Sequence, residues 1–300
     1  LIFFVLVRPT HLLRVTSTLL GYKIIVMFHT LGLGGGGVKG IMHVGALLEL
    51  KKHQELVFPK GVWGISVGSI VATYIAFGLP IENLTKIKDA FKLSSFIPKL
   101  DIGKLHHSLT TKGVFSMDTF EKSVCDLFME QGLDIKTKVL GDAKMPLFIV
   151  SSNLTTGKPT IFSKNVPVLE AIKCSCCIPG VFRPQILYNQ VYVDGDIFCP
   201  SIDYLVPGSE NVLCISLKQT VTDTKFTPKT LDTMSPLTYI HDIHSLLVKN
   251  FHDQVKRDCT VCLSYPKLRS MSSIEEFDVE DILMVSGSAL RSFLVSKGLL

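Results

Sequence analysis

Nothing in the sequence is long and apolar enough to cross a bilayer, which takes about 20 consecutive residues. The opening apolar run from Leu1 to Val7 is stopped by Arg8 and Pro9. Blocks of like charge are missing too. Lys and Arg number 31 against 26 Asp and Glu, and the net charge of +5 is spread along the chain. That argues against a nucleic-acid-binding stripe and suits an anionic surface such as a phospholipid headgroup layer. No internal repeat or low-complexity linker divides the 300 residues, of which 47% are apolar. One large domain with a substantial core is the economical reading. The first methionine is Met27, and no small-residue cleavage site follows the opening run. Residues 1–26 are expected to be an extension outside the fold, with a single domain over 27–300.

A closed metal site is also lacking. Cys259-x-x-Cys262 is half of a zinc pattern, but it lies in a strand-like run where the two residues point to opposite faces. Most of the eight cysteines sit in apolar stretches, including Cys174, Cys176 and Cys177. Buried thiols in a reducing, cytoplasmic setting are expected. The glycine loop lacks what two common readings need. Gly32-Leu-Gly34-Gly-Gly-Gly37 matches the dinucleotide fingerprint, yet no carboxylate ends the next strand to hold a ribose. Glu49 and Glu55 both precede that strand. Lys39 is followed by Gly40 and not by Ser or Thr, so the Walker pattern fails as well.

What is present is a pair of consecutive β-loop-α units. A short strand over 28–33 runs into Gly34–Gly40 and a helix marked by Ile41, Val44, Leu47, Leu48 and Leu50. The apolar run Val62-Trp63-Gly64-Ile65 then enters Gly64-Ile65-Ser66-Val67-Gly68. A helix marked by Ile70, Val71, Tyr74, Ile75 and Phe77 follows, stopped by Gly78 and Pro80. Two such units predict an α/β fold with a mostly parallel central sheet covered by helices in three layers. Further helices are expected over 81–93, 117–129, 168–176, 236–255 and 279–297. Further strands are expected over 145–153, 161–162, 190–193, 212–217 and 259–265.

Strand, tight turn and helix is the setting of a nucleophile elbow, with Ser66 lifted from the sheet at a helix N-terminus. Gly64 and Gly68 flank it because side chains there would collide. Backbone N–H groups of the consecutive glycines at the first helix can converge on an oxyanion. The serine then needs a base. His241, His244 and His252 share one helical pattern beside no motif, and His43 reads as structural. Asp194, in Tyr192-Val193-Asp194-Gly195-Asp196, ends a strand and can reach the same sheet edge. Burial would make it basic enough to serve. If Asp196 approaches Asp194, two carboxylates raise one pKa. Residues 84–105 interleave Lys86, Lys88, Lys92, Lys99 and Lys104 with Phe91, Leu93, Phe96, Ile97 and Leu100. That is either a lipid entrance or an ordinary amphipathic helix.

Gly35-Gly-Gly-Val-Lys-Gly40, Gly64-Ile-Ser-Val-Gly68 and Asp194-Gly195, in this order, resemble the patatin-like phospholipase family. Cys176-Cys-Ile-Pro-Gly-Val-Phe-Arg-Pro184 is similar to that family's small-small-x-Pro segment. The likeness spans roughly residues 28–298. It implies a Ser66–Asp194 dyad without histidine, an oxyanion loop at Gly35, Gly36 and Gly37, and supporting roles for Lys39, Gly40, Gly64, Gly68 and Gly195. It implies hydrolysis of phospholipid or related lipid esters, with no metal or cofactor, no nucleic acid, and peripheral contact with an anionic membrane. The third motif departs from the family's Asp-Gly-Gly or Asp-Gly-Ala by carrying Asp196. A catalytically silent lipid-binding or scaffold protein is the rival expectation.

Overall fold

The computed structural model describes residues 16–19, 22–25, 27–86, 112–208, 211–217, 257–266, 268 and 277–300, with Asp232, Tyr239, Ile243 and Leu246 singly. The helix expected over 236–255, with His241, His244 and His252, lies outside the described residues except at single positions. So does most of the basic segment 84–105, including Lys88, Lys92, Lys99 and Lys104.

Strands β1 (Thr16–Leu19) and β2 (Tyr22–Ile25) pair antiparallel in a two-stranded sheet of their own. The two β-loop-α units follow. β3 (Thr30–Leu33) leads through a 3-10 turn at Gly37–Gly40 into α1 (Ile41–Lys51), and β4 (Gly61–Ile65) leads into α2 (Val67–Ala76). After α3 (Asn83–Lys86) come β5 (Gly113–Phe115) and α4 (Asp118–Met129). Next are β6 (Leu147–Asn153), β7 (Lys158–Phe162), α5 (Val168–Ser175) and β8 (Gly180–Phe182). β9 (Gln185–Leu187), β10 (Gln190–Val193), β11 (Val212–Leu217), β12 (Thr260–Leu263) and α6 (Val279–Ser296) complete the described elements. Patterning missed β5, β8 and β9, which are three residues each and too short for any periodicity to register.

The main sheet has the order β12-β11-β3-β4-β6-β10-β9, with β7 also on β6. It is parallel from β12 to β6, and β7, β9 and β10 add antiparallel pairs. β3, β4 and β11 are buried on both faces, as continuous apolar strands of a parallel sheet are. One face carries Leu31, Leu33, Val62, Leu213 and Ile215 into the large core beneath α1, α2, α4, α5 and α6. The other carries Trp63, Ile65, Val150 and Cys214 against Cys199, Ile202 and Val206 in a smaller core. α6 is started by Asp278, whose carboxylate accepts the Glu280 and Asp281 N–H groups. No helix among the described residues is long and apolar enough to cross a membrane.

Strand β6 organises the working edge. β7 takes one of its edges over Ile149 to Asn153. β4 pairs with Leu147 to Val150 and β10 with Ser152 and Asn153, so both lie on the opposite edge. β4 runs with β6 and β10 against it, so their C-termini meet head-on. Ile65 pairs with Val150 and Val193 with Ser152. Only the register position of Ser151 separates them, and the next residues of the two strands are Ser66 and Asp194.

Candidate active site

Ser66 follows β4 with φ 51° and ψ −129°, a left-handed conformation that a residue with a side chain rarely adopts. Such a residue costs about 1–3 kcal/mol and persists only where its surroundings impose it. Here its N–H donates to Ser175 Oγ at 2.8 Å, and that hydroxyl donates to the Val150 carbonyl at 2.6 Å. The Asp194 N–H donates to the Cys177 carbonyl at 2.8 Å. The Ser151 hydroxyl lies 2.9 Å from both the Cys174 and Val193 carbonyls. The end of α5 and the residues after it thus hold both strand ends. Ser66 Oγ donates to Asp194 Oδ2 at 2.7 Å, and both residues are buried. Asp194 Oδ1 accepts the Asp196 N–H at 3.0 Å.

Burial pushes the Asp194 carboxyl up from 3.8 to about 6, against the opposing hydrogen bonds from Ser66 and the Asp196 N–H. The group is therefore a stronger base than an ordinary carboxylate. Ser66 also caps α2, whose N-terminus favours negative charge.

The glycines bring loop and elbow together. A methyl group built on Gly68 would lie 2.3 Å from the Leu33 carbonyl oxygen and 2.6 Å from that of Gly34. Only hydrogen lets α2 start against the end of β3. On Gly64 it would lie 2.5 Å from Ser69 Cα, which fixes the sharpness of the elbow. Gly195 packs on the Val150 carbonyl in the same manner, at 2.5 Å. The loop is tied to β11 by the Gly34 N–H, which donates to the Ile215 carbonyl at 2.9 Å. The Gly34 carbonyl lies 2.8 Å from His43 Nε2. Burial lowers the His43 ring from 6.5 to about 4, so the neutral ring donates from Nε2 and holds the loop. Gly36 and Gly37 have φ of 155° and 58°.

Lys39 and Gly40 are buried in the 3-10 turn after the loop. Burial lowers the Lys39 ammonium from 10.5 to about 7, against the pull of Asp196. Asp196 is raised well above 3.8, first by desolvation and then by Asp194, against Lys39 and the Gly35 N–H. Ser66, Asp194, the three loop glycines and Lys39 therefore come together at one end of the parallel strands. The eight cysteines are free thiols, five of them buried. Ser151, Ser175 and the Cys177 carbonyl are positioning groups that pattern reading missed. Their one sequence signal is the small-residue segment around Cys174–Cys177, which carries no chemistry by itself.

A family profile described as patatin-like phospholipase matches residues 31–200. YqhO of Bacillus subtilis (strain 168) is 34% identical over 170 residues, covering 50% of this chain and 55% of that protein. A protein of Invertebrate iridescent virus 6 named a probable lipid hydrolase is 26% identical over 184 residues, covering 57% of this chain and 60% of its own length. The matched region is thus only a little over half of either relative. Among solved structures, VipD from Legionella pneumophila superposes with a TM-score of 0.55 at 15% identity, over 91% of this chain and 68% of that one. That likeness is one of fold. The profile match covers both glycine motifs and the Asp194 turn, and on it the chain belongs to the patatin-like phospholipase family.

Proposed function

We propose that this chain hydrolyses carboxylic esters of lipids, in the manner of a phospholipase A or lysophospholipase, with Ser66 as nucleophile and Asp194 as its base. The observation that carries the reading is the 2.7 Å hydrogen bond from Ser66 Oγ to Asp194 Oδ2, made beside a glycine loop and at a helix N-terminus. Ser66 Oγ attacks the ester carbonyl while Asp194 takes its proton. The carbonyl oxygen becomes an oxyanion and turns to the loop N–H groups, each worth about 3 kcal/mol of barrier. Protonated Asp194 then gives its proton to the departing alcohol, leaving an acyl ester on Ser66. Water attacks that ester as Asp194 takes a proton from it, and the collapse returns the proton to Ser66 with release of the fatty acid. The balance closes without a metal or cofactor. The lipid class of substrate is supported by the family and by the name of the iridescent-virus relative. The net charge of +5 suits peripheral contact with an anionic membrane.

The rival, a lipid-binding scaffold without turnover, is favoured by Asp196, whose carboxyl lies on the glycine loop. Labelling with a fluorophosphonate separates the two. The reading expects stoichiometric adduct on Ser66 and release of fatty acid from a panel of phospholipids and lysophospholipids, with Ser66→Ala as the blank. No adduct on Ser66, or turnover that survives Ser66→Ala, would sink it.

A further inference from the structure

Directly after Asp194 the chain makes a 3-10 turn at Gly195–Ile197, and that turn aims the Asp196 side chain at the glycine loop. Asp196 is half-buried as a residue, with its carboxyl turned inward. A methyl group built on Gly35 would lie 2.1 Å from Asp196 Oδ2 and 2.6 Å from Oδ1, so the carboxyl lies directly against the loop's main chain. The Gly35 N–H and the buried Lys39 side chain both favour its ionised form, which places the carboxyl between the loop and that lysine. Its own N–H meanwhile holds Asp194 Oδ1 at 3.0 Å. One residue therefore touches the loop and the base together.

On the acyl-hydrolase reading, the loop N–H groups beside this carboxyl are the donors that the oxyanion would use. One N–H serves one close acceptor well, and an acceptor already seated must be displaced. We propose that Asp196 is a resident occupant of the oxyanion loop, a positioning residue that competes with the ester's developing oxyanion for the Gly35 N–H. The inference rests on the acyl-hydrolase reading above. Its consequence is specific. A neutral carbonyl makes little demand on the loop, whereas the tetrahedral intermediate demands all of it. The occupant therefore withholds stabilisation from the transition state more than from the bound substrate, and it lowers kcat and not affinity.

The test uses the full chain, a soluble short-chain ester and a fluorophosphonate, whose phosphonyl oxygen seeks the same donors. Asp196→Ala and Asp196→Gly are expected to raise kcat about tenfold, with KM within about twofold and labelling rates rising in step. Asp196→Asn keeps an acceptor oxygen on Gly35 and is expected to stay within about threefold of the parent. A kcat that is unchanged or lower in both the Ala and Gly variants overturns the proposal, whatever their melting temperatures. An Asn variant that rises as far as the Ala variant also overturns it, because charge and not occupancy would then be the cause. Ser66→Ala in each background separates the two readings. Activity that depends on Ser66 but gains nothing from Asp196 substitution refutes the occupant alone. Activity that survives Ser66→Ala refutes the acyl-hydrolase reading.

Discussion

Around Ser66 the glycines are confined by main chain. The obstacles at Gly64 are Ser69 Cα and the Gly68 carbonyl, and those at Gly68 are the carbonyls of Leu33 and Gly34. At Gly35 and Gly36 in the glycine loop the obstacles are side chains. A methyl group on Gly35 would meet the Asp196 carboxyl, and one on Gly36 would meet Leu217 Cδ1 at 2.8 Å and Lys39 Cε at 3.4 Å. Main chain cannot retreat without moving a strand, whereas a side chain can turn or be replaced. The elbow is therefore built once and for all, and the loop is open to adjustment by its neighbours. Asp196 is such an adjustment, and it is where this chain departs from the pattern of its family.

The largest effect expected is at the elbow. Ser66→Ala and Asp194→Asn should each lower ester turnover by about 10⁴-fold, and the double variant should be no worse than either, because the two act as a unit. Initial rates on a soluble ester measure this. A double variant that loses the product of the two single losses would mean that Asp194 works apart from Ser66.

Next in size is the cost of a methyl group. Gly68→Ala drives a β-carbon into the Leu33 carbonyl and should cost more than about 4 kcal/mol in urea unfolding. Gly35→Ala combined with Asp196→Gly should cost less than about 1 kcal/mol, since the atoms nearest to the new methyl are removed with it. If that pair costs as much as Gly68→Ala, the distinction between main-chain and side-chain confinement fails.

Smaller again is the effect of pH. Asp194 must be ionised to accept the Ser66 proton, and burial has pushed it up to about 6. Turnover should therefore be full above that value and fall about tenfold per unit below it. The groups facing this carboxyl are Ser66, the Asp196 N–H, Lys39 through Asp196, and the Cys176 and Cys177 thiols, which burial holds protonated. Asp196, itself raised by burial and then by Asp194, stands beside this carboxyl, so the two titrate as a pair. Asp196→Gly should therefore move the acid limb to lower pH. An unchanged acid limb would mean that the two carboxyls titrate independently. Stability carries the opposite sign to activity. A folded pKa above the unfolded one favours the fold below about pH 4, and this is lost as pH rises through 6. Asp194→Asn should accordingly melt higher than the parent at pH 8, measured by thermal unfolding.

Much of this arrangement was legible in the residues because it depends on local pattern. Two strand-loop-helix units announce a parallel sheet, and the glycines at 64 and 68 announce a turn that tolerates no β-carbon. Asp194 was legible as a strand-end carboxylate beside glycine. The head-on approach of β4 and β10 was not legible, since it arises from two strands sharing one edge of β6 at different heights. Neither were the Ser175 and Cys177 anchors, which act through space and leave no periodicity. The contact of Asp196 with Gly35 joins residues 161 positions apart through a 3-10 turn, and only the turn's direction decides it.

The smallest effect expected lies at the entrance to the loop's own strand. Residues 1–26 precede β3, whose last residues lead to the glycines, while the elbow's strand is entered from Phe58. We propose that this segment is dispensable, with the domain starting at Met27. The β1 and β2 strands pair with each other in a separate sheet. The start of β3 is held from within the domain instead. Gln54 Oε1, on a buried side chain, accepts the N–H groups of Met27 at 3.1 Å and Phe28 at 2.9 Å. The Lys60 N–H donates to the His29 carbonyl at 2.9 Å. A new amino terminus at Met27 can still donate to Gln54. A chain beginning there should melt within about 4 °C of the parent, the shift that about 1 kcal/mol produces in a domain of this size. Its kcat on a soluble ester should change by less than about twofold. A fall of more than about 10 °C would mean that the segment packs on the core. A kcat loss with unchanged melting and unchanged Ser66 labelling would say something narrower: the segment props the loop, and the loop's support reaches further along the chain than the elbow's.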